Sequence, residues 1–424
     1  MRREVLLLLE SNTTGSGRLF CAAARRLGLQ PVVFARDPGR YPYLVEDGIA
    51  TRQLDTGDPA AIRQAVTELP GRLTGVTSSS EYFVAAAAEL AGGLGLPHPD
   101  AAAITACRDK AAQRRRLRSG GLAGPDFGTA TDPEQAAACA VELGLPVVVK
   151  PVSGSGSVGV RLCHRPDEVI EAARVVLAAD LATSGIPTQH AVLVERYLDG
   201  PEFSVETFGR QVVGITAKQV GAPPYFVETG HDFPARLPVG DENELVVTAL
   251  AALDALGLGW GPAHTELRLT PAGAAVIEVN PRLAGGMIPD LIRLATGVDL
   301  ITATVANAAG RRAELTPNRN EAAAIRFLVA GSSGRFVAAH GLDRAAGCAQ
   351  VTDVVLTRPP GSELRLEHSF RDRIGYLISV GRNAHAAAAA AERALGCVRL
   401  QIEPARQPAL VGTTLTCAVE GNPA

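Results

Sequence analysis

The stretch Glu278-Val279-Asn280-Pro281-Arg282 ends an apolar strand with a carboxylate, an amide and then an arginine. A second strand is predicted over residues 263 to 269, which include Glu266. Because side chains alternate along a strand, Glu278 and Asn280 share one face, and pairing of the two strands brings Glu266 beside them. Carboxylate and amide oxygens are hard ligands suited to Mg2+ held jointly with phosphate groups. A surface-exposed acidic face is the alternative.

Arg282 directly follows this strand. A guanidinium at that point lies just beyond the predicted metal position. It is suited to hold a carboxylate, or the charge that develops on a phosphate group.

Residues 147 to 160 form a second stretch, with a buried strand that ends in Lys150, a loop of small residues and a return strand. The loop reads Ser153-Gly154-Ser155-Gly156-Ser157. Glycine and serine let backbone N–H groups approach oxygen atoms closely, and the lysine adds positive charge, so the loop is suited to phosphate groups. The sequence lacks the order Gly-x-x-x-x-Gly-Lys-Ser, which excludes a Walker loop. A flexible hairpin tip is the alternative.

Lysine is rare in this chain. Of its 41 basic residues, only Lys110, Lys150 and Lys218 are lysines. A compact ammonium and a planar guanidinium are not interchangeable, so we expect a functional point charge among these positions.

The composition describes a soluble globular protein. The chain has 424 residues, with 46% hydrophobic and 20% charged residues, which points to about two to four compact units and excludes disorder as the main theme. The net charge of -3 lacks the basic excess of a phosphate-backbone binder, so nucleic acid is not an expected partner.

We expect no membrane contact and a cytoplasmic location. The apolar run Val5 to Leu9 is shorter than a secretory core segment, and no stretch of about 18 apolar residues occurs. The seven cysteines are scattered without a Cys-x-x-Cys pair, which argues against a zinc cage or a disulfide framework and fits a reducing compartment.

The order of predicted strands and helices indicates a mixed α/β (α+β) protein. A Gly- and Pro-rich stretch at residues 92 to 99 marks the first boundary. We also predict one helix over residues 101 to 117 and a Pro- and Gly-rich loop over residues 221 to 240. The predicted units are 1–95, 96–315 with a small lid lobe at about 125–205, and 316–424.

Taken together, these motifs resemble the ATP-grasp superfamily, and within it the carboxylate-amine ligases that include the L-amino acid ligases. The likeness covers residues 100 to 310 well and implies an ATP-grasp fold. An amino-terminal preATP-grasp (Rossmann-like) domain and a carboxy-terminal biotin-carboxylase-like lobe would complete it. The motifs, in the family's order, are Asp109-Lys110, Lys150 with its loop, Glu195 to Glu202, Thr265-Glu266-Leu267 and Glu278 to Arg282.

The resemblance implies ATP and Mg2+ as cofactors, with two ions expected and Mn2+ as a substitute. Glu266, Glu278 and Asn280 would bind the metal, and Arg282 would hold the reacting carboxylate or an acyl phosphate. The implied ATP-binding residues are Lys110, Lys150, Ser153, Gly154, Ser155, Gly156, Ser157, Glu195, Tyr197, Leu198 and Glu202, of which Glu195, Tyr197 and Leu198 would line adenine and Glu202 would hold the ribose.

The substrate residues implied by the likeness to L-amino acid ligases lie in three places. Glu81 would receive an amino group, and Lys218 belongs to the substrate loop. In that loop, Glu228 or His231 would orient the substrate or help deprotonate the attacking amine, His being suited to proton transfer near neutral pH. An ordinary loop histidine is the alternative for His231. Small residues at Gly285 and Gly286 would leave room for a larger substrate.

The implied reaction is ATP-dependent amide or dipeptide formation through an acyl phosphate, with small-molecule carboxylate and amine substrates that are expected to be amino acids. One alternative is a biotin-carboxylase-like or purine-pathway enzyme that activates bicarbonate or formate. Biotin carboxylases carry Gln-Val-Glu-His where this chain has Leu-Ala-Gly-Gly after Arg282, which argues against carboxylation. A non-catalytic ATP-binding regulator is the other alternative, and the retained acids argue against it. Relatives are often dimers, so a homodimer is one expected assembly.

Overall fold

The computed structural model describes residues 3–12, 16–179 and 190–404. Part of the predicted lid lobe and the end of the predicted carboxy-terminal lobe lie outside the described residues.

The amino-terminal residues form a parallel sheet of four strands with helices on both faces. After Glu4, the first strand is apolar and fully buried, as expected when both faces of a parallel sheet are covered. The strand order is β3-β2-β1-β4, so the chain after β1 and after β4 leaves the sheet at neighbouring positions. The elements are β1 (Glu4–Leu9), α1 (Ser16–Arg26), β2 (Gln30–Ala35), α2 (Tyr43–Glu46), β3 (Ala50–Gln53), α3 (Pro59–Thr67), β4 (Arg72–Thr77) and α4 (Val84–Gly93).

The single helix predicted over residues 101 to 117 is wrong. Two helices occur there, α5 (Ala101–Arg108) and α6 (Lys110–Ser119), because Asp109 leaves the helical conformation. Its carboxylate accepts a hydrogen bond from the backbone N–H of Ala112 and thereby caps α6. Lys110 consequently becomes the first residue of a helix.

A small lobe with its own core follows. Its antiparallel sheet has the order β5-β8-β6-β7, and two helices pack on it. The elements are β5 (Phe127–Ala130), α7 (Pro133–Leu143), β6 (Val147–Pro151), β7 (Arg161–Cys163), α8 (Pro166–Ala178) and β8 (Val192–Arg196).

The remaining chain builds a large antiparallel sheet and a small one. The elements up to residue 308 are β9 (Glu202–Phe208), β10 (Gln211–Val220), β11 (Glu228–Phe233), α9 (Val239–Leu256), β12 (Pro262–Thr270), β13 (Gly273–Asn280), α10 (Ile288–Thr296) and α11 (Leu300–Ala308). Those after it are β14 (Ala322–Val329), β15 (Gly334–His340), α12 (Leu342–Ala346), β16 (Val351–Leu356), β17 (Glu363–Leu364), β18 (Arg373–Gly381), α13 (Ala384–Leu395) and β19 (Arg399–Glu403).

The large sheet has eight strands in the order β13-β12-β9-β10-β11-β14-β18-β16, and the small sheet has the order β17-β15-β19. The predicted boundary between residues 315 and 316 therefore separates two segments that share one sheet. The boundary itself stays a prediction.

The loop predicted over residues 221 to 240 is wrong in its centre. Residues Glu228–Phe233 form β11, which pairs with β10 on one side and with β14 on the other. Hydrogen bonds to both neighbours compensate for the polar composition of this short strand.

Strand alternation separates the two faces of the large sheet. Val205, Leu267 and Val276 belong to the core that includes α9, so their polar neighbours in sequence point to the opposite face. The register places Lys218 directly between Glu202 on β9 and His231 on β11. The face away from α9 is therefore lined by charged and polar side chains.

Among the described residues, no single helix is long and apolar enough to cross a membrane. In the part of the chain that the structure describes, α10 and α11 taken together meet the length and composition of a span, and they are bent by 105° relative to each other.

Candidate functional site

The predicted site residues converge on one cavity of about 2560 Å3. Its walls come from the amino-terminal sheet, the small lobe, the large sheet and the segment after β17. Every residue predicted for ATP, substrate or catalysis lines it, and so do Glu266 and Glu278. Asn280 does not belong to the cavity wall.

Lys150 is fixed at the end of β6 by a buried ion pair. Its Nζ lies 2.5 Å from Oε2 of Glu195, and Nε of Arg114 donates to Oε1 of the same carboxylate at 2.5 Å. Burial raises the pKa of Glu195, but the charges of Arg114 and Lys150 outweigh burial and bring this pKa down to about 2. Glu195 therefore stays ionised, and both its carboxylate oxygens serve to hold cations.

Lys110 reaches the cavity from the start of α6. Its backbone N–H donates to the carbonyl of Val152, and its Nζ donates to the carbonyl of Gly154 at 2.6 Å. The same Nζ lies 3.0 Å from Oε1 of Glu278. The helix break at Asp109 thus brings an ammonium to the point where the glycine- and serine-rich loop meets the large sheet.

The loop Ser153–Ser157 joins β6 to β7 along one wall of the cavity. Gly154, Gly156 and Ser157 have φ values of 138°, 68° and 62°, a conformation that favours glycine. Oγ of Ser157 donates to the carbonyl of Phe226 at 2.9 Å. The loop is anchored at this end, unlike a free hairpin tip.

Glu266 and Glu278 lie directly opposite each other on β12 and β13, as the alternation predicted. Both are partly exposed to the cavity. Each carboxylate is paired with one ammonium, Glu266 with Lys218 and Glu278 with Lys110. Two carboxylates that face each other fit a divalent cation.

Within residues 3–12, 16–179 and 190–404, no group of three or more His, Cys, Asp or Glu side chains is placed to hold a metal by itself. Mg2+ usually takes one or two carboxylates plus phosphate oxygens and water, which agrees with the two carboxylates found here. Asn280 pairs with His264 in the strand ladder, and its role as a metal ligand stays a prediction.

Lys218 is the centre of a charged cluster on the large sheet. Its side chain is only 2% exposed, and Nζ lies 3.0 Å from Glu202, 2.6 Å from Glu228 and 3.1 Å from Glu266. Burial opposes the charge of Lys218, but these three carboxylates raise its pKa well above the ordinary value. The cluster therefore couples the predicted ribose, substrate and metal residues through one cation.

Two arginines extend this cluster. Arg268 lies 3.2 Å from Oε2 of Glu202, and Arg373 lies 2.7 Å from Oε2 of Glu228. Burial raises the pKa of Glu228, whereas the cations Lys218 and Arg373 lower it well below its usual range. Glu228 is therefore an anion whose two oxygens face two cations.

His231 lies on β11 and is 1% exposed, so the alternative of an ordinary loop histidine is wrong. Neither ring nitrogen has a hydrogen-bond partner among the described residues. Burial lowers the pKa of His231 to about 3, although Glu228 opposes this shift. The ring packs edge-on against Phe327 at 5.4 Å. His231 is thus a neutral imidazole that borders the cavity, with both ring nitrogens buried and without a hydrogen-bond partner among the described residues.

Gly286 lies against this imidazole. A Cβ added at Gly286 would overlap Nε2 of His231, and its φ of 59° favours glycine. At Gly285 a Cβ would meet open space. The two glycines therefore differ: Gly286 accommodates His231, and Gly285 borders the cavity.

Arg282 and Glu81 form an ion pair between the large sheet and the amino-terminal sheet. Nε of Arg282 donates to Oε2 of Glu81 at 2.7 Å. Burial raises the pKa of Glu81, but Arg282 and a hydrogen bond from Ser155 lower it overall. Burial lowers the pKa of Arg282, but Glu81 and Glu278 raise it overall. Both groups are charged at the cavity.

Three arginines of this site, Arg114, Arg268 and Arg373, were missed by the sequence reasoning. The sequence did contain a signal that Arg268 belongs to the site, because this residue stands two positions after Glu266 on the same face of the strand. Arg114 lies in the arginine-rich helix α6, one turn after Lys110. Nothing in the local sequence connects Arg373 with Glu228, 145 residues earlier.

Two family models match the chain. The ATP-grasp domain matches residues 143–290, and L-amino acid ligase C-terminal domain 2 matches residues 326–403. The first range contains the Lys150 loop and the two opposed glutamates, and the second contains Arg373.

The chain is also similar to known proteins over much of its length. A Sinorhizobium fredii protein named "Uncharacterized protein y4rH" is 37% identical over 404 residues, which cover 95% of this chain and 84% of that protein. Carnosine synthase 1 of Gallus gallus is 34% identical over 174 residues, 39% of this chain and only 19% of that protein. The crystal structure of L-amino acid ligase from Bacillus licheniformis has a TM-score of 0.77 at 24% identity, covering 95% of this chain and all of that one.

The predicted fold is therefore confirmed, including its ATP-grasp core. ATP binding and Mg2+ dependence are expected of this family. The chain belongs to the ATP-grasp superfamily and, within it, is similar to the L-amino acid ligases.

Proposed function

We propose that this protein is an ATP-dependent ligase that joins the carboxylate of one amino acid to the amine of another. The carboxylate oxygen attacks the γ-phosphorus of ATP, and ADP leaves. The amine nitrogen then attacks the acyl carbon, so that phosphate leaves and the amine loses a proton. One observation carries this proposal: a single cavity joins two lysines, two opposed carboxylates and the Arg282–Glu81 pair.

Lys110, Lys150 and the loop Ser153–Ser157 hold the ATP phosphates in this proposal. The two ammonium groups lie at the same end of the cavity as the loop, where they offset phosphate charge. Tyr197 and Leu198 line adenine, and Glu202 accepts hydrogen bonds from the ribose. Since Arg268 and Lys218 already fix Glu202, its oxygens are positioned before ATP binds.

Glu266 and Glu278 hold the metal, with Asn280 as a further ligand. We propose two Mg2+ ions, with Mn2+ as a substitute. Bound there, they would supply positive charge beside the phosphate groups during transfer. Lys110 pairs with Glu278 and Lys218 with Glu266, so each carboxylate at the metal position has one ammonium beside it.

Arg282 holds the reacting carboxylate, and Glu81 receives a substrate amino group. For the attacking amine, the structure favours an orienting role of His231 over proton transfer. With a pKa of about 3, the imidazole is a weak base near neutral pH, but its Nε2 is a suitable acceptor for an N–H group. Glu228 supplies the negative charge beside it, 3.8 Å away.

The test is phosphate release from ATP and Mg2+ with amino acids singly and in pairs, followed by mass spectrometry of the products. We expect release that requires two amino acids and a product at their summed mass less water. Glu278→Ala should abolish release. Glu134→Ala is the matched control, because this glutamate is exposed on the small lobe.

Two results would overturn the proposal. Release that depends on bicarbonate or formate instead of an amino acid would indicate the carboxylase or purine-pathway alternative. ATP binding without turnover in every pair would indicate a regulator. The homodimer and the cytoplasmic location stay predictions.

A further inference from the structure

A turn of the carboxy-terminal segment touches the predicted phosphate loop. This turn, Phe370–Asp372, is a short 3-10 helix just before β18. We propose that Phe370 is a positioning residue that holds the loop Ser153–Ser157 over the phosphate end of the cavity. The inference rests on the proposed function, because it assigns the loop to ATP phosphates.

Two contacts join Phe370 to the loop. Its backbone N–H donates to the carbonyl of Gly156 at 3.2 Å. Its ring lies so close to Gly156 that an added Cβ would overlap Cδ1. The absence of a side chain at Gly156 therefore permits the approach of this ring as well as the positive φ.

A second element supports the same loop. The segment 224–226 accepts hydrogen bonds from Oγ of Ser157 and from the backbone N–H of Leu162 through the carbonyls of Phe226 and Pro224. Between them, Tyr225 stacks on His368 with ring centroids 3.7 Å apart and planes 2° apart. The loop and the turn are thus connected directly through Phe370 and indirectly through Tyr225.

The turn itself is fixed to the body of the protein. Ser369 and Asp372 form a reciprocal capping box, and both are buried. The carbonyl of Asp372 accepts a hydrogen bond from the backbone N–H of Ala330, next to β14. Phe370 is therefore presented by a rigid support that belongs to the large sheet.

The contact with Phe370 pre-organises the loop Ser153–Ser157 for the phosphate groups of ATP. A loop with three residues at positive φ loses conformational entropy when it orders around phosphate groups. The contact with Phe370 orders the loop in advance, and it keeps water from an acyl phosphate formed beneath it. The carboxy-terminal segment would thus contribute to the ATP site without touching ATP.

Three variants test the contact. Phe370→Ala removes the ring, Phe370→Leu retains part of its volume, and Glu363→Ala is the control, because this glutamate is exposed on β17 of the same segment. Hydrogen exchange measured by mass spectrometry should show faster exchange at residues 153 to 159 in Phe370→Ala, an intermediate rate in Phe370→Leu and the wild-type rate in Glu363→Ala.

Kinetics supply the second readout. We expect Phe370→Ala to raise KM for ATP about tenfold or more and to release more phosphate than product, since a misplaced loop exposes the intermediate to water. In a double-mutant cycle with Gly156→Ala, part of the defect of Gly156→Ala should disappear when Phe370 is also alanine, because the overlap is removed.

Different results would overturn the role of Phe370 and the ligase proposal. Unchanged exchange at residues 153 to 159 in Phe370→Ala, or additive effects in the cycle, would overturn the role of Phe370 whatever reaction the enzyme catalyses. Faster exchange in Phe370→Ala without any amide product from wild-type protein would retain the contact and overturn the ligase proposal.

Discussion

Nζ of Lys150 lies 2.5 Å from Oε2 of Glu195, and both side chains are almost completely buried. Removing one partner of a buried ion pair leaves the other charge uncompensated. Arg114 shares the same carboxylate, so two cations depend on Glu195.

We expect Glu195→Gln to lower the free energy of unfolding by about 3–5 kcal/mol, measured by urea denaturation. Glu134→Gln, an exposed glutamate of the same lobe, should change it by less than about 1 kcal/mol. Equal effects of both substitutions would contradict the buried pair.

The difference between wild type and Glu195→Gln should depend on pH. The pKa of Glu195 falls from an ordinary 4.5 to about 2 in the folded protein. A lowered folded-state pKa stabilises the protein above the unfolded pKa, and this contribution disappears as the pH falls from 4.5 to 2. Denaturation between pH 7 and pH 2.5 should show the two curves approaching each other only below pH 4.5. A constant difference down to pH 2.5 would show that the pKa of Glu195 is the same in the folded and the unfolded protein.

Glu266→Gln and Glu278→Gln test the metal position. Each substitution keeps the shape of the side chain and removes one charged oxygen ligand. We expect the affinity for MgADP to fall about 10- to 100-fold by isothermal calorimetry, while affinity for ADP in EDTA changes little. Glu134→Gln should behave as wild type in both titrations. An equal loss with and without Mg2+ would assign the two glutamates to nucleotide contact instead of metal binding.

His231 should remain neutral across the working pH range. Its pKa of about 3 results from burial, so 15N NMR of the ring should show no titration between pH 5 and pH 8. A titration near pH 6.5 would contradict this environment.

His231→Phe should raise KM for the amine substrate by about 10- to 100-fold, the loss expected for one hydrogen bond to a charged group. His231→Gln retains a neutral acceptor and should recover part of that loss. If kcat falls while KM stays constant, proton transfer and not orientation is the role of His231.

The parts of the site that the sequence predicted are those in which local pattern decides the geometry. Alternation along β12 and β13 was enough to bring Glu266 opposite Glu278. A buried strand that ends in Lys150 and runs into glycines and serines was enough to place a cation beside a loop.

The features that the sequence did not predict also have physical causes. β11 is polar and lies between prolines at 224 and 234, and it exists because strands 10 to 100 residues away in the chain satisfy its hydrogen bonds. Asp109 suits a helix interior poorly and a helix cap well, and the hydrogen bond from Lys110 to the carbonyl of Val152 at the break is not visible in the local sequence. Two further partners, Arg373 of Glu228 and Phe370 of Gly156, come from a distant segment that no local pattern connects with them.

Gly286 should tolerate no side chain, whereas Gly285 should. A Cβ at Gly286 would overlap Nε2 of His231, and the φ of 59° adds strain of about 1–2 kcal/mol for a residue with a side chain. We expect Gly286→Ala to lower Tm and to raise KM for the amine substrate, because His231 must move from its position beside Phe327. MgADP affinity should stay at the wild-type value, since the nucleotide residues lie on other elements.

Gly285→Ala is the matched comparison, because a Cβ there meets no atom within 4 Å and should leave Tm unchanged. Equal Tm values and equal KM values for the two variants would show that the imidazole adapts without cost, and would remove Gly286 from the residues that position His231.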